Sequence, residues 1–130
     1  NYQGKLNIFD IAQKRSVWSY DASSFFSPVI TRGIIIVAES NSNLQSFSSK
    51  NLEESWSSED YMNRDISNPV SFKGNLIFGD LEGYLHVLDP LNGITIGRKK
   101  ISKKPIKTIF SRSNSLYAID EAFNLFSIKI

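Results

Sequence analysis

The sequence predicts an all-β chain built from four-stranded antiparallel repeats, and three patterns that share one register lead to this prediction. Similar runs of apolar and polar residues recur with anchors spaced 38, 41 and 40 residues apart. A tryptophan or a glycine lies at the same distance after each of the first three anchors. A proline precedes a short strand in successive repeats. A period near forty with about four short strands is typical of a β-propeller blade. The positions are the anchors Leu6, Leu44, Leu85 and Leu125, then Trp18, Trp56 and Gly97, then Pro28, Pro69 and Pro105.

The individual strands can be assigned from one clear hairpin over residues 79–93. A tight turn at Glu82-Gly83 leads into an alternating strand over 84–88, which closes on a turn that ends in Asn92-Gly93. The other repeats follow this template, so each blade should contain the same order of strands and turns. The expected blades are a partial one at about 1–20 (strands near 4–9 and 16–20), complete ones at about 29–57 (strands near 29–32, 34–39, 43–48 and 53–57) and 70–98, and a partial one with three strands at about 106–130.

Length and composition fit one domain over residues 1–130, of which 41% are hydrophobic, enough for a core. We expect a segment of a larger, eight-bladed propeller. Because the chain begins in mid-blade without methionine, we also expect it to be the tail of a longer protein. A net charge of +2 is too small to predict binding to nucleic acid or to a membrane surface. The absence of cysteine excludes disulfides and thiolate chemistry within these residues. A transmembrane helix is not predicted, because that needs about 20 consecutive apolar residues.

The repeats resemble a known superfamily in their Asp-to-Trp spacing. Segments 9–18, 47–56 and 88–97 share this spacing, although Ser48 replaces the Asp in the second copy and Gly97 replaces the Trp in the third. This spacing resembles that of pyrroloquinoline-quinone-type propeller repeats. More narrowly, the sequence Gly-Asp-Leu-Glu-Gly-Tyr-Leu over 79–85, together with the terminal strand over 124–128, is similar to the last blades of the BamB family of outer-membrane protein assembly lipoproteins.

The resemblance implies a non-enzymatic, periplasmic, outer-membrane-associated scaffold without a cofactor. Its expected partners are a BamA-like barrel-forming subunit and unfolded outer-membrane proteins, the latter through strand addition to a sheet edge. Contact with the membrane would occur only through a lipid anchor missing from this chain. The partner-binding residues of the family cannot be placed on positions of this sequence.

Two alternatives remain open: a fragment of a quinone-dependent dehydrogenase and a generic propeller interaction module. A dehydrogenase of this type would need calcium ligands, a catalytic Asp, commonly a cysteine pair and a Trp stacked on the cofactor, and none of these can be placed here. We therefore predict no catalytic, cofactor-binding or metal-binding residue. The acidic residues fall in equivalent turns, where we expect them to accept backbone N–H bonds. They are Asp80, Glu82, Asp89, Asp120 and Glu121.

Three other side chains with functional potential have simpler structural interpretations. Trp18 and Trp56 recur at one repeat position and are predicted to pack one blade against the next. His86 is the only histidine, and without a second His or a carboxylate at ligand spacing it is predicted to be structural.

Two surface features could bind a partner. The basic run over 98–107 is interpreted as a solvated loop or as a rim that binds an anionic or protein partner; it lacks the interleaved aromatic residues of a nucleic-acid platform. The connections between the fourth strand of one blade and the first strand of the next emerge on one face, and we predict a protein-binding surface there. Alternatively, the two phenylalanines fold inward over the blades. The predicted surface comprises Phe25, Phe26, Tyr61, Met62 and Arg64. Self-association of the segment through its exposed ends is also expected.

Overall fold

The computed structural model describes residues 4–10, 15–22 and 26–130, with side chains from residue 26 onward. Thirteen strands and no helix occur in these residues. Phe25 and the side chain of Trp18 lie outside the described part, so the predictions made for them stay predictions. The strands are β1 (Gly4–Asp10), β2 (Arg15–Ala22), β3 (Val29–Thr31), β4 (Ile34–Ala38), β5 (Leu44–Ser48), β6 (Glu54–Ser58), β7 (Val70–Phe72), β8 (Asn75–Gly79), β9 (Tyr84–Leu88), β10 (Thr95–Lys100), β11 (Ile106–Arg112), β12 (Ser115–Asp120) and β13 (Leu125–Ile128).

The strands form four antiparallel sheets in chain order. Sheet 1 pairs β1 with β2, sheet 2 has the order β3-β4-β5-β6, sheet 3 the order β7-β8-β9-β10, and sheet 4 the order β11-β12-β13. Each strand pairs with its sequence neighbour, as in the meander of a propeller blade. The all-β prediction is confirmed, and the observed strands start and end within a few residues of the predicted ones. The size of the parent propeller stays a prediction.

The hydrophobic core lies between the sheets, and β8 shows how one strand serves two interfaces. Leu76 and Phe78 belong to the cluster shared with sheet 2, whereas Ile77 between them belongs to the cluster shared with sheet 4. Successive side chains of a strand point to opposite faces, so a sheet packed on both sides needs a continuous apolar run rather than an alternating one. The same reasoning explains β4, whose five residues, Ile34–Ala38, are all buried.

Trp56 joins sheet 2 to sheet 3, as its repeat position predicted. Its Nε1–H donates to the carbonyl oxygen of Pro90 at 2.7 Å, and its ring packs against the core cluster between the two sheets. Within its own sheet, the register shifts in the pairing of β5 with β6. At this irregularity Ser46 Oγ accepts from the Trp56 N–H at 2.8 Å and donates to the Trp56 carbonyl at 2.7 Å. The partly buried backbone groups of Trp56 therefore keep hydrogen-bond partners.

Aspartates shape the turns, as predicted, but the glutamates do not. Asp80 Oδ1 accepts from the backbone N–H of residues 82 and 84, and Asp120 Oδ1 makes the equivalent pair of bonds in sheet 4. Asp89 accepts from the N–H of residue 91. In the described residues, no backbone N–H donates to the side chain of Glu82 or Glu121. Their longer side chains point outward and are exposed, so the capping prediction holds for the three aspartates only.

Candidate protein-binding cleft

A cleft of about 430 Å³ opens beside sheet 3, where the chain crosses from sheet 2 to sheet 3. One wall is the loop between β6 and β7. The other wall is β10, the last strand of sheet 3, which we call its outer strand. The cleft contains two guanidinium groups, one imidazole, one phenol and one carboxylate, so it is more basic than the chain as a whole. Its lining residues are Asp60, Tyr61, Arg64, His86, Thr95, Ile96, Gly97 and Arg98.

The loop between β6 and β7 is anchored at several points along its backbone. The N–H of Asn63 donates to the carbonyl of residue 41 at 2.9 Å, and the N–H of Ile66 donates to Ser42 Oγ at 3.0 Å. On the side of sheet 3, the Arg64 carbonyl accepts from the N–H of Leu81 at 3.0 Å. These bonds tie the loop to the turns of both sheets, so the side chains that it presents have a defined position relative to the cleft.

Tyr61 forms the floor of the cleft. Its side chain is 5% exposed, its ring meets Phe78 and His86 edge-on with centroids 4.9 Å away in each case, and its hydroxyl hydrogen-bonds Thr95 Oγ1. Burial raises the pKa of Tyr61 above its ordinary value, against the lowering effect of the Thr95 hydrogen bond. The phenol therefore stays neutral at physiological pH and acts as a packing and hydrogen-bonding group.

His86 and Asp80 form a buried pair behind the floor. His86 Nε2 lies 2.7 Å from Asp80 Oδ2, and the Arg64 guanidinium lies 3.6 Å from the same oxygen and 3.6 Å from Glu82. Burial lowers the pKa of His86 below its ordinary value, against the hydrogen bond and the charge of Asp80, which raise it. The structural role predicted for His86 is thus satisfied by a carboxylate six residues earlier, brought close by the tight turn between β8 and β9.

Arg98 stands on the open side of the cleft. Its guanidinium lies over the ring of Tyr84 at 4.8 Å from the centroid, and the Lys100 ammonium lies over the same ring at 5.3 Å. The register explains this arrangement, because Arg98 pairs with His86 and Lys100 pairs with Tyr84 across β10 and β9. All four side chains therefore share the face of sheet 3 that is turned toward the cleft.

The structure divides the predicted protein-binding residues into exposed and buried ones. Met62 is 44% exposed and the Arg64 side chain 38%. Tyr61 is buried, and Phe26 is half-buried and packs against the cluster between sheets 2 and 3, as in the inward alternative. Phe25 lies outside the described residues. The protein-binding role of this set stays a prediction, and Met62 and Arg64 are the members with surface to offer a partner.

Sequence reasoning did not find Arg98 as part of the site. It was interpreted only as the start of a basic run. The signal that could have placed it is the hairpin itself, because pairing β9 with β10 puts Arg98 opposite His86. The loop bearing Arg64 then has to pack on that side, which no local pattern specifies.

The described residues contain neither a metal-binding cluster nor a membrane-spanning helix. No group of three or more His, Cys, Asp or Glu side chains is placed there to hold a metal ion. Nor does that part of the chain contain a helix of the length and apolarity needed to cross a membrane.

Consecutive antiparallel meanders packed face to face, two of them joined by a loop that lines a cleft, define the chain as a segment of a β-propeller. The family model described as outer membrane protein assembly factor BamB matches residues 1–122. The chain belongs to this family.

Individual relatives agree with the family assignment. The chain is 33% identical over 106 residues to the outer membrane protein assembly factor BamB of Marinobacter adhaerens, and this match covers 82% of the chain and 27% of that protein. It is 28% identical over 107 residues to the BamB of Pseudomonas aeruginosa, with 82% and 28% covered. The crystal structure of BamB from Moraxella catarrhalis superimposes with a TM-score of 0.84 at 24% identity, covering 95% of the chain and 38% of that structure. The chain thus spans about a quarter of the length of these curated relatives.

Proposed function

We propose that this chain is part of a non-enzymatic scaffold of the outer-membrane protein assembly machinery. In this role it helps to bind a BamA-like barrel-forming subunit and assists the insertion of unfolded outer-membrane proteins. The scaffold would act in the periplasm, associated with the outer membrane.

The main support for this proposal is the accessible surface of the anchored loop between β6 and β7. The chain that bears this loop belongs to a family of outer membrane protein assembly factors. The loop between β6 and β7 exposes Met62 and Arg64, of which Arg64 lines the cleft, and Ile96 on the opposite wall is 58% exposed. Methionine and arginine are enriched in protein interfaces, and an apolar side chain beside them is suited to exclude water. The backbone bonds of the loop reduce the ordering cost of binding.

Isothermal titration of the full chain with the periplasmic domains of the barrel-forming subunit from the same organism tests the proposal. We expect saturable heat with these domains and none with calcium plus pyrroloquinoline quinone as a second titrant. Met62→Ser and Arg64→Gln should each weaken binding, because both side chains are exposed on the loop between β6 and β7. Lys50→Gln is the matched control, since Lys50 lies in the turn between β5 and β6, at the opposite end of sheet 2.

Each other result has a definite meaning. Absence of heat with the periplasmic domains would contradict the proposal for these residues. Saturable binding of the quinone would instead favour the dehydrogenase alternative. Equal weakening by Lys50→Gln and Arg64→Gln would show that the interface is not at the cleft, even if the scaffold role holds.

A further inference from the structure

The region beside the cleft carries an excess of positive charge that the described residues do not neutralise. Residues 98–107 contain six cations and no acid, and none of the six lies within 4.0 Å of a carboxylate of the described residues. Arg98 is the member that lines the cleft. Arg98 is exposed, so its N–H donors are accessible to an anionic ligand, and arginine binds carboxylates through charge-assisted hydrogen bonds.

Arg98 is held in place for such a ligand. Its contact with the Tyr84 ring, 4.8 Å from the centroid, fixes the guanidinium through a cation–π interaction. No carboxylate of the described residues lies within 4.0 Å of this guanidinium, so its N–H groups remain available to a ligand. Arg64 flanks the cleft as a second cation, although it is shared between Asp80 and Glu82 at 3.6 Å each. A carboxylate that enters the cleft therefore meets Arg98 first.

The shape of the site and its neighbours favours a protein segment over a lipid surface. Arg98 lines a concave cleft, which a single projecting side chain can enter but a flat layer of headgroups cannot. Ile96, which also lines the cleft, is 58% exposed, so the carboxylate would lie next to apolar contact area. Asp60, the one carboxylate that lines the cleft, lies on the loop wall. The negative charge of Asp60 disfavours a ligand that would place anionic groups along the entire cleft.

We propose that this cleft docks an extended acidic segment of a protein partner, with one Asp or Glu carboxylate bound by Arg98 and flanked by Arg64. The cations that follow along β10 and its loop attract further acidic residues of the segment. This inference rests on the proposed protein-binding function, and it specifies the chemistry of the partner at the same site.

Titration of the full chain with a blocked peptide of three Glu-Leu repeats, followed by nitrogen-15 NMR, tests the inference. We expect saturable shifts at Arg98 and at the loop between β6 and β7, and no such shifts with the matching Gln-Leu peptide. Arg98→Gln should weaken binding about 10-fold, the loss of a charged hydrogen bond. Arg98→Lys should recover only part of it, because lysine lacks the planar fork. Arg112→Gln is the control, an exposed arginine on sheet 4.

Several results would overturn the inference. Equal binding of the Glu and Gln peptides would exclude carboxylate recognition, and absence of shifts near Arg98 would exclude this cleft. Binding to vesicles with 30% phosphatidylglycerol that is lost in Arg98→Gln, without peptide binding, would assign the cations to a lipid surface. If the periplasmic domains of the barrel-forming subunit bind wild type and Arg98→Gln equally, the scaffold function stands and the acidic-segment inference fails. Because Arg98 is exposed on an edge strand, its variants should remain folded.

Discussion

Replacing Gly93 by alanine should destabilise the chain mainly through one contact with Trp56. A Cβ atom added at Gly93 would lie 2.5 Å from Trp56 Cε3 and 2.7 Å from Cδ2, and Gly93 has a φ of +75°. The substitution thus combines a clash across the interface of sheets 2 and 3 with backbone strain. The rigid indole ring is hydrogen-bonded to Pro90, so it cannot move aside without losing that bond.

The two contributions can be separated with a control at the same backbone conformation. Gly33 has a φ of +78°, but a Cβ there would meet only Ser49 Oγ at 3.9 Å. Gly33→Ala should therefore show the strain alone, about 1–2 kcal/mol. Overpacking adds roughly 1–3 kcal/mol, so Gly93→Ala should cost about 2–5 kcal/mol in total. In a Trp56→Ala background the clash disappears, and Gly93→Ala should cost about as little as Gly33→Ala.

Urea denaturation followed by circular dichroism measures these free energies of unfolding. The proteins compared are the wild type, Gly33→Ala, Gly93→Ala, Trp56→Ala and the double variant at 56 and 93. We expect the two substitutions to be less destabilising together than the sum of their separate effects, by about 1–3 kcal/mol. Additivity within about 0.5 kcal/mol would refute the contact. A Gly33→Ala cost equal to that of Gly93→Ala in the wild type would also refute it, because strain would then explain the whole effect.

Three further predictions concern turns and sheet contacts. Gly83→Ala should prevent stable folding, since its Cβ would lie 2.0 Å from the backbone oxygen of Ser102 at a φ of +87°; a folded variant by circular dichroism would contradict this. Burial raises the pKa of Asp120, but its hydrogen bonds outweigh this and hold the pKa at about 2, below 3.8. Asp120 should thus stabilise the fold fully above pH 3.8 and less as the pH falls toward 2, and in urea titrations the deficit of Asp120→Asn should shrink over this range. Asn68→Ala should cost about 1–3 kcal/mol in the same titrations, because its side chain makes three hydrogen bonds to β11, whereas exposed Asn114→Ala should cost little.

The strands could be predicted from the sequence because their signals are local. Turn residues such as Asn92-Gly93 mark the ends of strands, and the continuous apolar run of β4 reflects a sheet packed on both faces. The repeat then carries these signals from one blade to the next. The capping role of Asp80 and Asp120 followed in the same way, since each acts within five residues of chain.

The site could be predicted only in part because it depends on how two sheets pack. The sequence placed Tyr61 and Met62 on one loop but could not tell which of them points inward. Tyr61 points inward because it contacts Phe78 and Thr95, which lie 17 and 34 residues further along the chain. The pairing of His86 with Asp80 was missed for a different reason. Spacing rules for metal ligands do not describe a carboxylate brought close by a tight turn.

The replacement of tryptophan by glycine at position 97 links the architecture to the proposed site. In sheet 2 the tryptophan on the outer strand anchors that strand to the next sheet through Pro90. At the equivalent position of β10, a Cβ on Gly97 would have only Val87 near it, at 3.9 Å. Other groups join sheet 3 to sheet 4, among them the Asn68 side chain, which bonds to β11, and Ile77 in the shared core cluster. The outer strand β10 is thereby left exposed over most of its length, and its cations remain accessible for recognition.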